Sequence, residues 1–276
     1  MSTLDLRGTP FPFGLTYVPH ETLAPVVGGV RGPVEDLCDA CVSLGASFAF
    51  VPADAPWAAD AVEALVEAGV APLWSVGGPL WPVIGSWGEM EGLRATLTDP
   101  AAVGERLEAS LDGVLELVSS GVDAGARAVV LAEDVAGSGG PLVAPDFTIA
   151  ELLPRYARVV ESARALGVPA VFHSDGDVRP LLPAIARAGF VALHSGGGLG
   201  FEAFDRLFWA AREVGLAVIG GLLTAELGNA ARAEAIGSTI GVLAQAGGLL
   251  VADDGGITTE REVAGLVTAL EAARAV

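Results

Sequence analysis

The sequence predicts an α/β protein built as a single (β/α)8 barrel, the TIM-barrel fold. Glycine suits the end of a helix because it adopts the left-handed conformation without steric cost. Seven glycines end helical stretches and directly precede short apolar runs: Gly45, Gly69, Gly125, Gly167, Gly189, Gly215 and Gly247. With the apolar run near the N-terminus they mark eight strand-and-helix units, which at 276 residues indicate a closed parallel barrel.

The apolar runs are short and almost free of polar residues, as in parallel strands buried on both faces. The predicted strands cover residues 13–18, 46–51, 70–76, 126–132, 168–172, 190–193, 216–219 and 248–252. Between them, apolar residues recur at helical spacing, for example Phe201, Phe204, Leu207 and Phe208. A doubly wound open sheet is the main alternative, but no Gly-x-Gly-x-x-Gly segment follows the first strand.

Two of the connections that follow strands are unusually long. One covers residues 77–99 and carries Trp81 and Trp87, and the other covers residues 133–145. Connections after barrel strands lie on the face where barrel enzymes do their chemistry. We therefore expect two long loops that could cover a cavity.

The composition excludes several classes of function. All 15 basic residues are Arg, against 34 acidic residues and a net charge of −19. Without Lys, the chain cannot be a Schiff-base aldolase, a pyridoxal enzyme or a P-loop nucleotidase. The charge disfavours nucleic acid and anionic membranes as partners.

Two further features concern location and redox chemistry. The chain has no apolar run of 18 residues and no basic-then-apolar N-terminal pattern, so we expect a cytoplasmic protein. Cys38 and Cys41 form a C-x-x-C pair on an amphipathic helical pattern. We interpret them as core thiols, with redox or metal work as the alternative.

Polar side chains follow nearly every predicted strand. In a barrel these strand ends converge on one central cavity. Their residues are Tyr17, His20, Asp54, Ser75, Glu133, Asp134, His173, Asp175, Asp177, His194, Ser195, Thr224, Asp253 and Asp254. Such a ring of imidazoles and carboxylates suits either a divalent metal or metal-free acid–base catalysis.

The His173-x-Asp175 pair is the most informative of these. Residues i and i+2 share one side of an extended strand, so both side chains could bind one ion. The alternatives are an acid–base or substrate-binding role, or a structural network, with Asp177 capping the next helix. The Gly-rich segment after His194 could bind an anion, and the segment 253–256 could equally be a solvated turn.

Several segments resemble the uroporphyrinogen decarboxylase superfamily. They are residues 139–145, 153–156, 171–177, 181–189, 219–222 and 247–257. The similarity is closest to the corrinoid-linked, methyltransferase-like branch and extends from about Leu97 to the end of the chain. It implies one barrel domain over residues 1–276 and, as in relatives, a homodimer.

This resemblance implies one of two activities. Members either decarboxylate porphyrinogen acetate groups without a cofactor, or move methyl groups between a corrinoid protein and a thiol or pterin. The methyltransferases hold zinc with a His-x-Cys pair and a later Cys. Here His173 matches the His, Asp175 replaces the first Cys, and residues 253–255 replace the second. The Arg-Gln-Ala-Gly-Arg segment of the haem-pathway decarboxylases has no counterpart.

We therefore expect a methyltransferase-type enzyme that acts with a corrinoid protein on a small molecule. His173 and Asp175 would bind the acceptor or a divalent metal such as zinc, and Glu133, Asp134 and His194 would assist with acid–base chemistry. The predicted substrate contacts are Tyr17, Trp81, Trp87, Ser174, Arg179, Gly221 and Asp254. The alternatives are a cofactor-free decarboxylase, with Arg179 on a substrate carboxylate, and a non-catalytic ligand-binding barrel.

Overall fold

The computed structural model describes residues 11–276 and shows a closed barrel of eight parallel strands, which confirms the predicted fold class. The strands are β1 Phe13–Leu15, β2 Phe48–Pro52, β3 Ala71–Gly77, β4 Ala128–Ala132, β5 Ala170–His173, β6 Ala192–His194, β7 Ala217–Leu222 and β8 Leu249–Asp253. Each strand pairs with the next along the chain, and β1 closes the barrel against β8. The register of β5 and β6 sets His173 opposite His194.

Helices surround the barrel as predicted. The longer ones are α1 Pro33–Leu44, α2 Ala58–Glu67, α3 Leu80–Trp87, α4 Glu89–Thr98, α5 Pro100–Ala124, α6 Leu153–Ala165, α7 Leu182–Ala188, α8 Phe201–Glu213, α9 Ala230–Gln245 and α10 Glu260–Arg274. Shorter helical turns are His20–Leu23, Ala24–Val27, Pro145–Phe147, Thr148–Leu152, Arg179–Leu181 and Thr224–Leu227. The seven punctuating glycines all have positive φ, between 65° and 111°.

The two long connections differ from each other. Residues 77–99 were expected to form a loop, but α3 and α4 occupy most of this segment. The prediction was wrong because Trp81, Val83, Ile84 and Trp87 form an apolar helical face that packs on the core. Residues 133–145 do form an irregular connection, with a two-residue hairpin of Ala136–Gly137 and Gly140–Pro141.

Two apolar cores stabilise the barrel. The interior is filled by nine residues from the strands: Phe48, Phe50, Leu73, Ala128, Val130, Val171, Ala192, Ile219 and Ala252. A larger core lies between the strands and the helices and includes Cys41. Burial raises the pKa of the Cys41 thiol, which keeps it protonated and unreactive at neutral pH.

The helices of residues 11–276 lack the combination of length and apolar character that a membrane crossing requires.

Candidate functional site

Two buried histidines stand side by side at the carboxyl ends of β5 and β6. Nδ1 of His173 lies 2.7 Å from Nδ1 of His194, and the two rings are stacked with centroids 4.8 Å apart. Nε2 of His194 lies 3.2 Å from the main-chain carbonyl oxygen of Asp253 on β8. Three strands thus hold one chain of hydrogen bonds.

These hydrogen bonds determine which ring nitrogens of His173 and His194 carry a hydrogen. A carbonyl oxygen only accepts, so His194 Nε2 carries a hydrogen and donates it to Asp253. In a neutral ring, Nδ1 of His194 is then an acceptor, and Nδ1–H of His173 donates to it. His173 Nε2 is therefore left with a free lone pair.

Both rings are neutral at physiological pH. Burial lowers the pKa of His173 to about 4. Burial, reinforced by repulsion from His173, lowers the pKa of His194 well below its usual value. A neutral imidazole with one nitrogen fixed by a hydrogen bond is the form that binds metals.

Two carboxylates flank the free nitrogen. Asp134 Oδ1 lies 3.7 Å from His173 Nε2, and it accepts a 2.8 Å hydrogen bond from the Asp175 main-chain N–H. One ligand atom from each of Asp134, His173 and Asp175 lies within 4.8 Å of the others. Two atoms bound to one zinc ion at about 2.1 Å are at most about 4.2 Å apart, so the 3.7 Å pair fits one ion.

Asp175 is the second carboxylate of this group. Its Oδ1 is buried and has no hydrogen-bond partner among the described residues. Burial, together with repulsion from Asp134 and Asp254, raises its pKa to about 6. An orphaned buried carboxylate oxygen beside an imidazole lone pair fits a divalent cation.

Gly197 leaves room for this carboxylate. A Cβ at position 197 would overlap the Asp175 carboxylate, although the backbone there does not have a positive φ. If Asp175 binds zinc as the sequence predicts, Gly197→Ala should displace its carboxylate and weaken zinc binding at least tenfold, as loss of a supporting contact does. The measurement is zinc affinity by competition with a chromophoric chelator.

The matched control is Gly200→Ala in the same loop, where a Cβ meets no atom within 4 Å. An unchanged zinc affinity in Gly197→Ala would show that Asp175 is not a ligand.

The Asp253–Asp254 pair at the end of β8 is buried rather than solvated. The Asp253 carboxylate accepts hydrogen bonds from the Thr16 main-chain N–H at 2.8 Å and from the Thr16 hydroxyl. Asp254 accepts from the Thr224 main-chain N–H at 3.1 Å and from its hydroxyl. These carboxylates tie β1 and the segment after β7 to β8 and so support the histidine pair.

Glu133, directly after β4, is a further buried carboxylate. Its Oε2 accepts hydrogen bonds from the Leu80 main-chain N–H at 2.9 Å and the Tyr156 hydroxyl at 3.1 Å. Its Oε1 is buried without a partner among the described residues. Burial raises the pKa of Glu133 to about 7.

A cavity of about 650 Å³ lies beside Glu133 and Tyr17. Tyr17, Ser75 and Trp81 line it together with Glu133. The Tyr17 hydroxyl and Ser75 Oγ are 2.5 Å apart, and the Tyr17 ring stands edge-on to His173 with centroids 5.3 Å apart. Tyr17 therefore separates the cavity from the histidine pair.

The structure does not bring all predicted site residues together. The Arg106 guanidinium lies over the Trp87 ring, 4.3 Å from its centroid, and Trp87 is not among the residues that line the cavity. Arg179 forms a bidentate ion pair with Asp177, with contacts of 2.7 and 2.6 Å.

Ser174 and Gly221 have structural roles. The Ser174 hydroxyl is buried, accepts from the Val135 N–H at 3.1 Å and donates to the Asp175 carbonyl at 3.0 Å. Gly221 lies in β7 with φ of 101°, where a Cβ would also crowd Ile240. Any contact of these residues with substrate remains a prediction.

Sequence reasoning named Asp253 among the strand-end residues but missed its partner Thr16, and it placed His20 with the other histidines. His20 instead contacts Asp36 at 3.2 Å and Glu21 at 3.1 Å, on a turn after β1. Asp253 was detectable because it directly follows a buried strand, but its partner Thr16 is 237 residues away.

Comparison with known proteins identifies the family to which this chain belongs. Residues 50–272 match the family model described as uroporphyrinogen decarboxylase. No curated protein sequence matches the chain.

Solved structures of similar fold include three enzymes or enzyme-like proteins. A methyltransferase from Methanosarcina mazei aligns with a TM-score of 0.70 at 19% identity, over 100% of this chain and 99% of that one. D-psicose 3-epimerase from Clostridium cellulolyticum H10 aligns with a TM-score of 0.58 at 9% identity, over 96% and 99% of the two chains. A xylose isomerase domain protein from Planctomyces limnophilus gives 0.54 at 14% identity, over 96% of each chain. At these identities the likeness shows the barrel fold.

Proposed function

The chain belongs to the uroporphyrinogen decarboxylase family, and on this premise we propose that it is a metal-dependent methyltransferase acting on a small molecule. Asp134, His173 and Asp175 would hold the divalent metal, with zinc as the expected ion. The observation that carries the proposal is the free lone pair of His173 Nε2 beside two carboxylates. The family and the fold shared with a methyltransferase support it.

The donor set suits a hard Lewis acid. Two carboxylates and one imidazole are harder ligands than the thiolates of a His-x-Cys site, so the metal keeps more of its positive charge. When bound, the metal would polarise the acceptor atom and lower its pKa.

The protein groups would orient the reaction around this site. His194 and the Asp253 carbonyl hold the His173 ring with Nε2 facing the carboxylates. As the acceptor's lone pair bonds to the methyl carbon, the donor keeps the electron pair of the broken bond and the acceptor releases its proton. We propose Glu133 as the base that takes this proton, because its Oε1 has no partner among the described residues and burial raises its pKa to about 7.

The acidity of the site disfavours decarboxylation of a polycarboxylate. Asp134, Asp175, Asp253, Asp254 and Glu133 surround the mouth of the barrel. Arg179, the predicted carboxylate partner, is already paired with Asp177. A substrate with several carboxylates would meet repulsion without a compensating cation among these residues.

The methyl donor would be a corrinoid carried by a partner protein, as the family resemblance implies. A homodimer and a cytoplasmic location are likewise part of the proposal.

The test is metal analysis of protein purified without chelators, followed by transfer assays. We expect about one zinc per chain in the wild type and in Asp146→Asn, a control at an exposed Asp. Asp134→Asn and Asp175→Asn should lose the metal. With methylcobalamin as donor, methyl transfer to thiol and amine acceptors should require the metal.

Two results would contradict this proposal. Metal-free protein that binds and decarboxylates a carboxylated substrate would establish the decarboxylase alternative. Absence of metal, transfer and decarboxylation would leave a ligand-binding barrel.

A further inference from the structure

The cavity beside Glu133 and Tyr17 combines acidic groups with a volume of about 650 Å³. Besides Glu133 it is lined by Asp54 at its exposed rim, and neither Arg nor Lys is among the described residues that line it. Its walls include Trp81, Val114 and Leu117, which supply aromatic and apolar surface.

Its polar groups are acceptors or can act as acceptors. Glu133 Oε1 is a buried carboxylate oxygen without a partner among the described residues, in a side chain that is 1% exposed. One of the Tyr17 and Ser75 hydroxyls donates to the other, the accepting hydroxyl keeps its own hydrogen, and both oxygens retain lone pairs that can accept from a ligand.

The space for this carboxylate is built into the backbone. A Cβ at position 78 would overlap the Glu133 carboxylate, so Gly78 is required for Glu133 to lie where it does. The Trp81 indole N–H is itself engaged, donating to the Asp134 carbonyl at 3.0 Å. That bond fixes the Trp81 ring at the wall and removes its N–H as a donor for a ligand.

From these contacts we propose that the cavity binds a small organic ammonium compound. A bare metal ion would fill only a small part of about 650 Å³, and Trp81, Val114 and Leu117 offer it no ligands. An alkylammonium group suits the site because it combines a positive charge with apolar surface and interacts favourably with aromatic rings.

This inference goes beyond the proposed function and does not rest on it, because the residues that line the cavity include none of Asp134, His173 and Asp175. It stands on different residues from the metal site, so binding can be measured without turnover. Metal-loaded and metal-free protein are both suitable.

The experiment compares three ligands of nearly equal shape by calorimetry. Choline carries the positive charge, 3,3-dimethyl-1-butanol is its neutral isostere, and 3,3-dimethylbutanoate is anionic. We expect choline to bind the wild type at least about tenfold more tightly than the neutral isostere, and the anion to show no binding.

Two variants locate the effect. Glu133→Gln should lower choline affinity about tenfold, as expected for the loss of one charged contact, while affinity for the neutral isostere stays unchanged. Asp54→Asn at the exposed rim, which cannot disturb the core, should lower choline affinity about threefold. Glu116→Gln, at an exposed Glu of α5, is the matched control and should bind choline like the wild type.

Equal or tighter binding of the neutral or anionic ligand would overturn the inference, as would unchanged selectivity in Glu133→Gln and Asp54→Asn together. The proposed function fails separately. If the protein prefers choline but holds no metal, the ammonium site stands and the metal-dependent transfer falls. If the protein holds metal but shows no preference for choline, the reverse applies.

Discussion

His173→Ala is expected to abolish methyl transfer and to weaken zinc binding more than a hundredfold. The substitution removes the one imidazole of the proposed triad and leaves only Asp134 and Asp175. Loss of a residue that merely orients a ligand costs about ten- to a hundredfold, so loss of the ligand itself should exceed that range. Zinc affinity by chelator competition and transfer from methylcobalamin are the two measurements.

The neighbouring histidine should give a smaller effect of the same kind. His194→Phe keeps a ring in the buried position but removes Nδ1, the acceptor that holds the hydrogen on His173 Nδ1. The His173 ring can then rotate or carry its hydrogen on Nε2, which competes with the metal. We expect zinc affinity to fall about ten- to a hundredfold.

The third histidine provides the control. His20 lies on a turn after β1, where it contacts Glu21 and Asp36 rather than the triad. His20→Ala should therefore bind zinc and transfer methyl groups like the wild type. An equal loss in all three variants, or none in His173→Ala, would contradict the assignment of His173 as a metal ligand that His194 holds in place.

The fold was predictable because its signals are local. A glycine at each helix end and a continuous apolar run after it depend on a few neighbouring residues, and all eight strands lie where these signals place them. The exception, α3 and α4, shows the limit of such reasoning. Their segment begins after a Gly-Gly-Pro turn and contains Pro82 and Gly85, which are unfavourable inside helices, yet packing of Trp81 and Ile84 outweighs that preference.

The site was predictable only where one strand carries it. His173 and Asp175 lie two residues apart, and the matching positions of His173 and His194 at adjacent strand ends follow from the barrel. The contacts of Asp253 with Thr16 and of Glu133 with Leu80 join distant parts of the chain, and no spacing of residues in the sequence indicates them. The burial that alters the pKa of each group depends on those contacts.

Between pH 4.5 and pH 7 the wild type is expected to lose about 3 kcal/mol of its free energy of unfolding through Glu133, and Glu133→Gln should not show this loss. The ordinary pKa of this carboxyl is 4.5, and burial raises it to about 7, so the folded protein holds the proton more tightly than the unfolded chain. The contribution of Glu133 to the free energy of unfolding is therefore fully present below pH 4.5 and is lost as the pH rises to 7. Ionising Glu133 in the folded protein costs this free energy because its Oε1 has no described partner.

Glutamine keeps the shape but cannot ionise. Its amide oxygen can accept from Leu80 and Tyr156 as Oε2 does, with the amide nitrogen at the unpartnered Oε1 position. Chemical denaturation at several pH values should give a flatter profile for Glu133→Gln, while the profile of the control Glu116→Gln follows the wild type. The residual slope below pH 6 comes from Asp175 and Asp253, whose pKa values burial raises to about 6.

A wild-type slope in Glu133→Gln would mean that folding does not raise the pKa of Glu133. The expected gain in stability has a functional counterpart, because the same substitution should weaken choline binding. A buried carboxyl that lowers stability above neutral pH is understandable if its charge has a partner in the working protein. A bound ammonium compound supplies that partner. Choline should therefore stabilise the wild type more at pH 8 than at lower pH, and at pH 8 it should stabilise Glu133→Gln less than the wild type.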